Sequence, residues 1–405
     1  MRHDVSAAAA RNLIITMNTQ NTPVHVNLWH RDFWLMAFAL LLLSMSVYTL
    51  IPVLPAWLMA VENFTPEQTG WSMGAFALGL YLLGAQCSWL VQRYRRNVVC
   101  MWAIAAVALD VAALWYIDGL RSEFVSFWTI LLHRLLLGAA FGLAQMVLAS
   151  TLIIDTCESS QRTEANYSAS WFARMALALG PLAGCLVYGF YGFDKVVWLS
   201  VALAALSIVL VKMVTFPFRT PEEEVHVASL DRFFLPHGSV LFLNFLLVTT
   251  VVGMLLTVAS GSAFYVLMGV GLLLALLSQH FVFRDAELKS EILTGLALLI
   301  AALLILITTP ASHAAPLLVG LGAGIIASRF LLFFIKLSRH CQRGTSQSTY
   351  FLGWETGLSV GLGLGYACFY QRPAALLYTA LALTAAALLM YHFYTHAWFL
   401  KNKNR

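Results

Sequence analysis

The sequence predicts an all-α membrane protein with twelve transmembrane helices, arranged as two six-helix bundles related by a pseudo-twofold axis. Three observations carry that prediction. Only 11% of the 405 residues are charged and 60% are hydrophobic, whereas a water-facing domain carries roughly a quarter charged residues. Apolar runs of about 20 residues, enough to cross the hydrocarbon as helices, recur along the chain between short polar breaks. The longest polar stretch between those runs, Phe216 to Gly238, divides them six and six.

In chain order the spans are read at 33–59, 71–91, 97–117, 125–150, 166–190 and 194–214, then at 239–258, 261–281, 291–309, 314–336, 346–370 and 374–397. Barrel strands would alternate apolar and polar residues in segments of about ten, and this chain does not. Residues 1–31 read as a polar tail with no apolar core ahead of a cleavage site, so no signal peptide is expected, and Met17 offers a second start. The division that follows is a tail at 1–31, a first bundle at 32–215, a linker at 216–238, a second bundle at 239–398 and a tail at 399–405.

Basic residues set the orientation. Arg2, Arg11, Arg31, Arg93, Arg95, Arg96, Arg162, Arg219, Arg232, Arg284, Arg343 and Lys401 fall on one side with most of the rest, and only Arg121, Lys195 and Arg372 fall on the other. Basic loops stay on the side of synthesis, which predicts cytoplasmic termini, here at a bacterial inner membrane. The six cysteines lack metal-ligand spacing and avoid the external loops, so free thiols are expected.

The two halves resemble each other. Setting Arg162 against Arg343, an offset of 181, aligns Asn166 with Gln347, Gly180 with Gly361, Gly184 with Gly365, and Arg174 with Glu355. One residue further, Gly138 meets Gly320 and Gly142 meets Gly324. Both halves run in one orientation, which predicts parallel repeats about an axis along the membrane normal.

Four elements carry a family resemblance over nearly the whole chain. Ser88-Trp-Leu-Val-Gln92-Arg93-Tyr-Arg95-Arg96 is similar to G-x-x-x-D-R-x-G-R-R, with Ser88, Gln92 and Arg95 departing from it. Arg134-Leu-Leu-Leu-Gly138-Ala-Ala140 resembles R-x-x-x-G-x-(G/A), and Asp155 to Arg162 resembles D-x6-R. Ala176-x-x-x-Gly180-Pro181-Leu-Ala-Gly184 looks like G-x-x-x-G-P-x-x-G-G, with Ala176 and Cys185 in place of glycines. Together they resemble the major facilitator superfamily, and the last resembles its proton-coupled exporters. The resemblance implies secondary transport by alternating access, a proton-coupling role for Arg134, and a gate made by Arg93, Arg96, Asp155, Arg162 and Arg343, with Arg93–Asp155 as the pair to test.

Charged side chains at membrane depth cost about 2.5–3.5 kcal/mol on insertion scales, so each needs a reason. The spans place Asp110, Arg134, Arg174, Arg329 and Glu355 there, with His133 beside them. Arg174 and Glu355 lie roughly 12–13 Å from matching helix ends at 1.5 Å per residue, on opposite walls of a central cavity. Glu355, Arg134 and Asp110 are the proton-coupling candidates, although Asp110 also reads as a structural partner of Arg134, and Glu355 as one of Arg329. Arg174, Glu355, Arg329, Tyr48, Trp171 and Trp354 are the cavity candidates. A surplus of buried arginines favours an anionic or zwitterionic solute. Gly138, Gly180, Pro181, Gly184, Gly361 and Gly365 read as packing and bending positions.

No metal site or cofactor is expected, and the partners are a small solute, protons and lipid rather than nucleic acid. H-E-x-x-H, G-x-S-x-G and P-loop patterns are absent, which argues against a membrane enzyme or an ATP-driven pump. The leading reading is a monomeric proton-coupled exporter. Its alternatives are an importer of a small anionic or zwitterionic nutrient and, from another class, a receptor or scaffold.

Overall fold

Helix boundaries follow the polar punctuation of the sequence. The computed structural model describes residues 27–119, 126–158, 160–216, 226–259, 261–283 and 287–404. Met17, Arg2, Arg11, Arg121, Arg219, Arg284 and linker residues 217–225 lie outside them. Among the described residues, the first half holds α1 (Arg31–Ala60), α2 (Pro66–Leu82), α3 (Arg96–Gly119), α4 (Phe127–Asp155), α5 (Arg162–Tyr191) and α6 (Phe193–Lys212). The second holds α7 (Pro236–Thr257), α8 (Gly261–Phe281), α9 (Leu288–Thr308), α10 (Ala314–Leu337), α11 (Arg343–Phe369) and α12 (Pro373–Asn402).

Ten of these helices are long and apolar enough to cross a membrane, and α2 makes an eleventh together with Cys87–Arg93, to which it is joined through a 49° bend. The twelfth, α11, is 27 residues long, about 40 Å at helical rise. It is more polar because Thr345 through Ser359 face protein, not lipid, and are buried without interruption. The outside is apolar, as a lipid-facing surface requires: Trp102, Leu109, Trp128, Phe281 and Phe393 are each 71–74% exposed.

Local chemistry fixes the ends and breaks. In α1, Thr49 separates Arg31–Tyr48 from Leu50–Ala60. Pro52 and Pro55 lack the N–H groups that would bond the Tyr48 and Ile51 carbonyls, so the ladder opens beside Tyr48. Thr65 starts α2 with a reciprocal cap: its hydroxyl accepts from the Gln68 N–H, and the Gln68 side chain accepts from the Thr65 N–H. Gly192, at φ +83°, makes the turn into α6, a conformation that disfavours other residues. The sequence ends the fourth span at 150, but α4 continues through a π-turn at Leu148–Leu152 and carries Asp155 on its last turn. Pro181 lies inside an unbroken α5.

The two halves use the same helix contacts. A Cβ on Gly138 of α4 would sit 2.3 Å from the Phe76 carbonyl of α2, and one on Gly320 of α10 would sit 2.1 Å from the Met268 carbonyl of α8. Gly79 faces the Leu135 carbonyl at 2.2 Å, and Gly271 faces that of Leu317 at 2.1 Å. Gly180 and Gly184 bring α5 against Met45, Tyr48 and Thr49 of α1, while Gly361 and Gly365 bring α11 against Thr250, Gly253 and Thr257 of α7. Without a hydrophobic drive between helices in lipid, such close backbone approach supplies the packing energy.

The halves meet along α2–α11 and α5–α8. Gly70 and Gly74 lie against Gly363 and Ala367 on one side of the membrane. On the other side, the Tyr167 hydroxyl of α5 donates to Gln279 of α8. An even number of helices brings residue 27 and residue 404 to the same face, which also carries residues 226–238. Asn404 is held there by the carbonyls of Lys336 and Leu337 at the end of α10.

Candidate functional site

Glu355 lies where the two halves touch. It is 2% exposed, on the buried stretch of α11. Tyr48, at the break in α1, donates its hydroxyl to Glu355 Oε1 at 2.6 Å, and Gln145 of α4 donates an amide N–H to the same oxygen at 2.9 Å. Trp354 completes the group, its indole N–H donating to the Tyr48 oxygen at 3.2 Å. Behind it, Phe245 of α7 stacks on Tyr350 and Trp354 at centroid distances of 5.1 and 6.1 Å. Two first-half helices thus hold one carboxyl of the second half, in the geometry of charge-assisted bonds.

Arg174, the repeat counterpart of Glu355, also bridges the halves. It is 1% exposed and lies on the Trp171 ring at 4.0 Å. Its Nη1 donates to Ser328 Oγ of α10 at 2.8 Å, and its Nη2 to Ser170 Oγ at 3.0 Å. Tyr350 stands within electrostatic reach of both Arg174 and Glu355.

The remaining charges at these depths find their contacts inside one half. His133 Nε2 lies 3.2 Å from Asp110 Oδ2 and 3.0 Å from the Asp110 carbonyl. His133, rather than Arg134, is therefore the direct partner of Asp110; one residue of offset turns the Arg134 guanidinium over the Phe76 ring at 4.9 Å instead. Arg329 pairs with Glu291 of α9, not with Glu355. Glu291 side-chain atoms are fully buried, so the inventory of membrane-depth acids gains a third member. A span that starts at 291 hides it as an end residue, whereas α9 begins at Leu288.

At the linker face, Asp155 pairs with Arg96 at the start of α3. Arg93, one turn earlier, ends the short helix Cys87–Arg93 and is exposed. Arg96, Asp155, Arg162, Arg232 and Arg343 line one recess of about 170 Å³. Residues 231–233 of the linker pack over this face. Asp231 accepts from Thr345 at 3.1 Å, and Arg232 donates its backbone N–H to Thr345 at 2.9 Å and its guanidinium to Thr151 at 3.2 Å. Phe233 is buried against Gly84, where the bend of α2 leaves no side chain. Burial, with Arg96 beside it, pulls the Arg232 guanidinium below its ordinary range.

The long helices of the described residues, a repeated set of glycine contacts and a polar cluster spanning the repeats fit one family. The chain matches the family model described as Major Facilitator Superfamily over residues 36–362. It belongs to the major facilitator superfamily. No curated protein sequence matches it. Solved structures of similar fold include the human organic anion transporter MFSD10 (TETRAN), 15% identical, with a TM-score of 0.65 over 89% of this chain and 98% of that one. A bacterial homologue of the iron transporter ferroportin in an outward-facing state is 15% identical, with a TM-score of 0.63 over 91% and 100% of the two chains. The POT family transporter PepTSo is 11% identical, with a TM-score of 0.67 over 92% and 99%.

As a member of the major facilitator superfamily, this is a multi-pass membrane protein that moves a solute across the bilayer. Several residues of the interface between halves escaped the sequence reading. Gln145, Ser170 and Ser328 are uncharged, so membrane depth alone does not flag them, and the linker contacts of Asp231, Arg232 and Phe233 join residues far apart in the chain.

Proposed function

We propose that this superfamily member couples solute movement to protons by alternating access, with Glu355 as the proton-carrying group. One observation carries the reading: of the three membrane-depth acids, Asp110 is bonded within the first half, Glu291 within the second, and Glu355 alone across the two. An ionised Glu355 holds α11 to α1 and α4 through two bonds of roughly 1.5–3 kcal/mol each, against about 1 kcal/mol each when neutral. Protonation then weakens the link between halves by about 1–4 kcal/mol, roughly a 5- to 900-fold shift between access states.

In this reading the bundles at 32–215 and 239–398 rock about the site as a monomer, with the linker face cytoplasmic in a bacterial inner membrane. Arg96–Asp155, the recess arginines Arg162 and Arg343, and the Asp231–Arg232 contacts form the seal that opens on that side. Export is the direction that the resemblance in α5 supports. A second reading, import of an anionic or zwitterionic solute, draws on Arg174.

The test is an uptake panel in proteoliposomes under an imposed pH gradient. Glu355→Gln is expected to abolish gradient-driven transport while solute exchange without a gradient continues. Gradient-driven transport at the wild-type rate in that variant defeats the proposal.

A further inference from the structure

We infer that the transported solute is an organic anion whose acid group docks on Arg174 between α5 and α10, and that it crosses together with one proton. The second half of this inference rests on the reading of Glu355 given above, and it takes the import direction of the second reading there.

Arg174 is a buried cation with only neutral partners: two serine hydroxyls and an indole face. Among the described residues no carboxylate pairs with it, whereas Arg96 has Asp155 and Arg329 has Glu291. Removing a guanidinium from water costs several kcal/mol, and a cation–π contact returns about 2 kcal/mol at most sites of this kind. The position is costly to keep unless something negative visits it.

The polar atoms left over around Arg174 name that visitor. Arg174 Nε and Trp171 Nε1 are buried without a protein partner, and the Tyr350 hydroxyl, buried beside the Arg174 guanidinium, keeps its own hydrogen free to donate. An indole and a guanidinium nitrogen only donate, and a phenol donates readily. Three such donors around one positive charge suit a ligand that accepts hydrogen bonds and is negative, namely a carboxylate, sulfonate or phosphonate. A cationic solute would meet the wrong charge and two nitrogens that cannot accept.

Charge balance then links the anion to the proton. The groups facing Glu355 are Tyr48 from α1, Gln145 from α4 and Tyr350 from α11, with Arg174 of α5 reached through Tyr350 and Tyr81 of α2 bonded to neighbouring Thr356. Of these only Arg174 carries charge at neutral pH. In the empty interface an ionised Glu355 balances the positive charge of Arg174. A docked monoanion leaves one negative charge in excess, which a low-dielectric interior opposes. A proton on Glu355 restores neutrality, so anion and proton load together and leave together.

Thermal unfolding of the purified full-length protein tests the anion. Benzoate, benzenesulfonate and octanoate are compared with benzamide, octanamide and benzylamine. The acids are expected to stabilise the wild type and the others not. Arg174→Gln should weaken the acid effect about tenfold or more, Arg174→Lys less, and Ser328→Ala a few-fold if the arginine variants do not fold. Stabilisation by the amine or amides in place of the acids, no stabilisation by any acid, or undiminished acid binding by a folded Arg174→Gln would overturn it. Benzenesulfonate, which does not cross lipid as a neutral acid, then reports coupling in proteoliposomes. Its uptake should rise with an inward-directed proton gradient and stay unchanged under a valinomycin-set potassium potential; uptake driven by the potential rejects the one-proton pairing. Glu355→Gln should keep acid binding and lose the gradient response. Normal gradient response in that variant rejects the Glu355 reading, while acid binding at Arg174 is judged by the unfolding series.

Discussion

A methyl group added at Gly138 and another at Gly320 test whether both halves are built around the same helix contact. On Gly138 it would lie 2.3 Å from the Phe76 carbonyl oxygen and 3.0 Å from the Gly79 Cα; on Gly320, 2.1 Å from the Met268 oxygen and 2.9 Å from its carbon. Ordinary contact begins near 3.4 Å, and both obstacles are backbone, which no rotamer change removes. The α2–α4 and α8–α10 pairs must each open by about 1 Å. Overpacking of this kind costs about 1–3 kcal/mol, while alanine's helix preference over glycine returns about 1 kcal/mol. Lost contacts along the widened pair add to the cost, since van der Waals packing holds membrane helices together. We expect each variant to be destabilised by about 1–3 kcal/mol, a fall of several degrees in melting temperature. Gly189→Ala is the control, because nothing lies within 4 Å of its Cβ, and it should melt with the wild type or slightly above. The assay is thermal unfolding in detergent with monodispersity checked at each temperature. Wild-type melting in either variant, or strong destabilisation of one alone, would refute the shared contact.

Other outcomes follow from the ion pairs and the linker. Glu291→Gln leaves the Arg329 charge buried without its partner, so it should destabilise by about 3–5 kcal/mol; Glu291→Leu combined with Arg329→Met should recover much of that in the same unfolding assay. Phe233→Ala empties the site against Gly84 and Tyr81, and limited trypsin digestion should then cut after Arg232 faster than in the wild type. Burial raises the Cys157 thiol above its usual range, so at pH 7–8 it stays protonated and should resist maleimide while exposed Cys341 and Cys368 react. Labelling of Cys157 should increase only as pH climbs past the ordinary thiol value, or when Asp155→Asn releases Arg96 and loosens the seal; mass spectrometry of the labelled peptides checks both.

Much of the fold was legible because lipid imposes a local rule. A helix crossing hydrocarbon needs its apolar residues consecutively, so α1, α4 and α10 announced themselves within windows of twenty residues. Their ends were read less well. The apolar run of the fourth span ends at 150, yet Asp155 sits on α4, carried there by a π-turn with no sequence signature, and a span that starts at 291 hides Glu291, which α9 buries. Depth arithmetic named Arg174 and Glu355, since a charge inside an apolar run is conspicuous. It could not name what they touch.

Composition and hydropathy by themselves determined that the chain crosses the membrane as helices, and the 181-residue offset between halves set Arg174 against Glu355. These are statements about single segments and their solvent. Tertiary structure alone decided the partners: Tyr48 and Gln145 reach Glu355 across 307 and 210 residues of chain, Arg329 takes Glu291, and Asp155 takes Arg96 over the exposed Arg93. A hydrogen bond needs its atoms placed to within a few tenths of an ångström. That placement comes from how helices cross, set by close contacts such as Gly180 on Tyr48 and Gly361 on Thr250, and no one segment contains it.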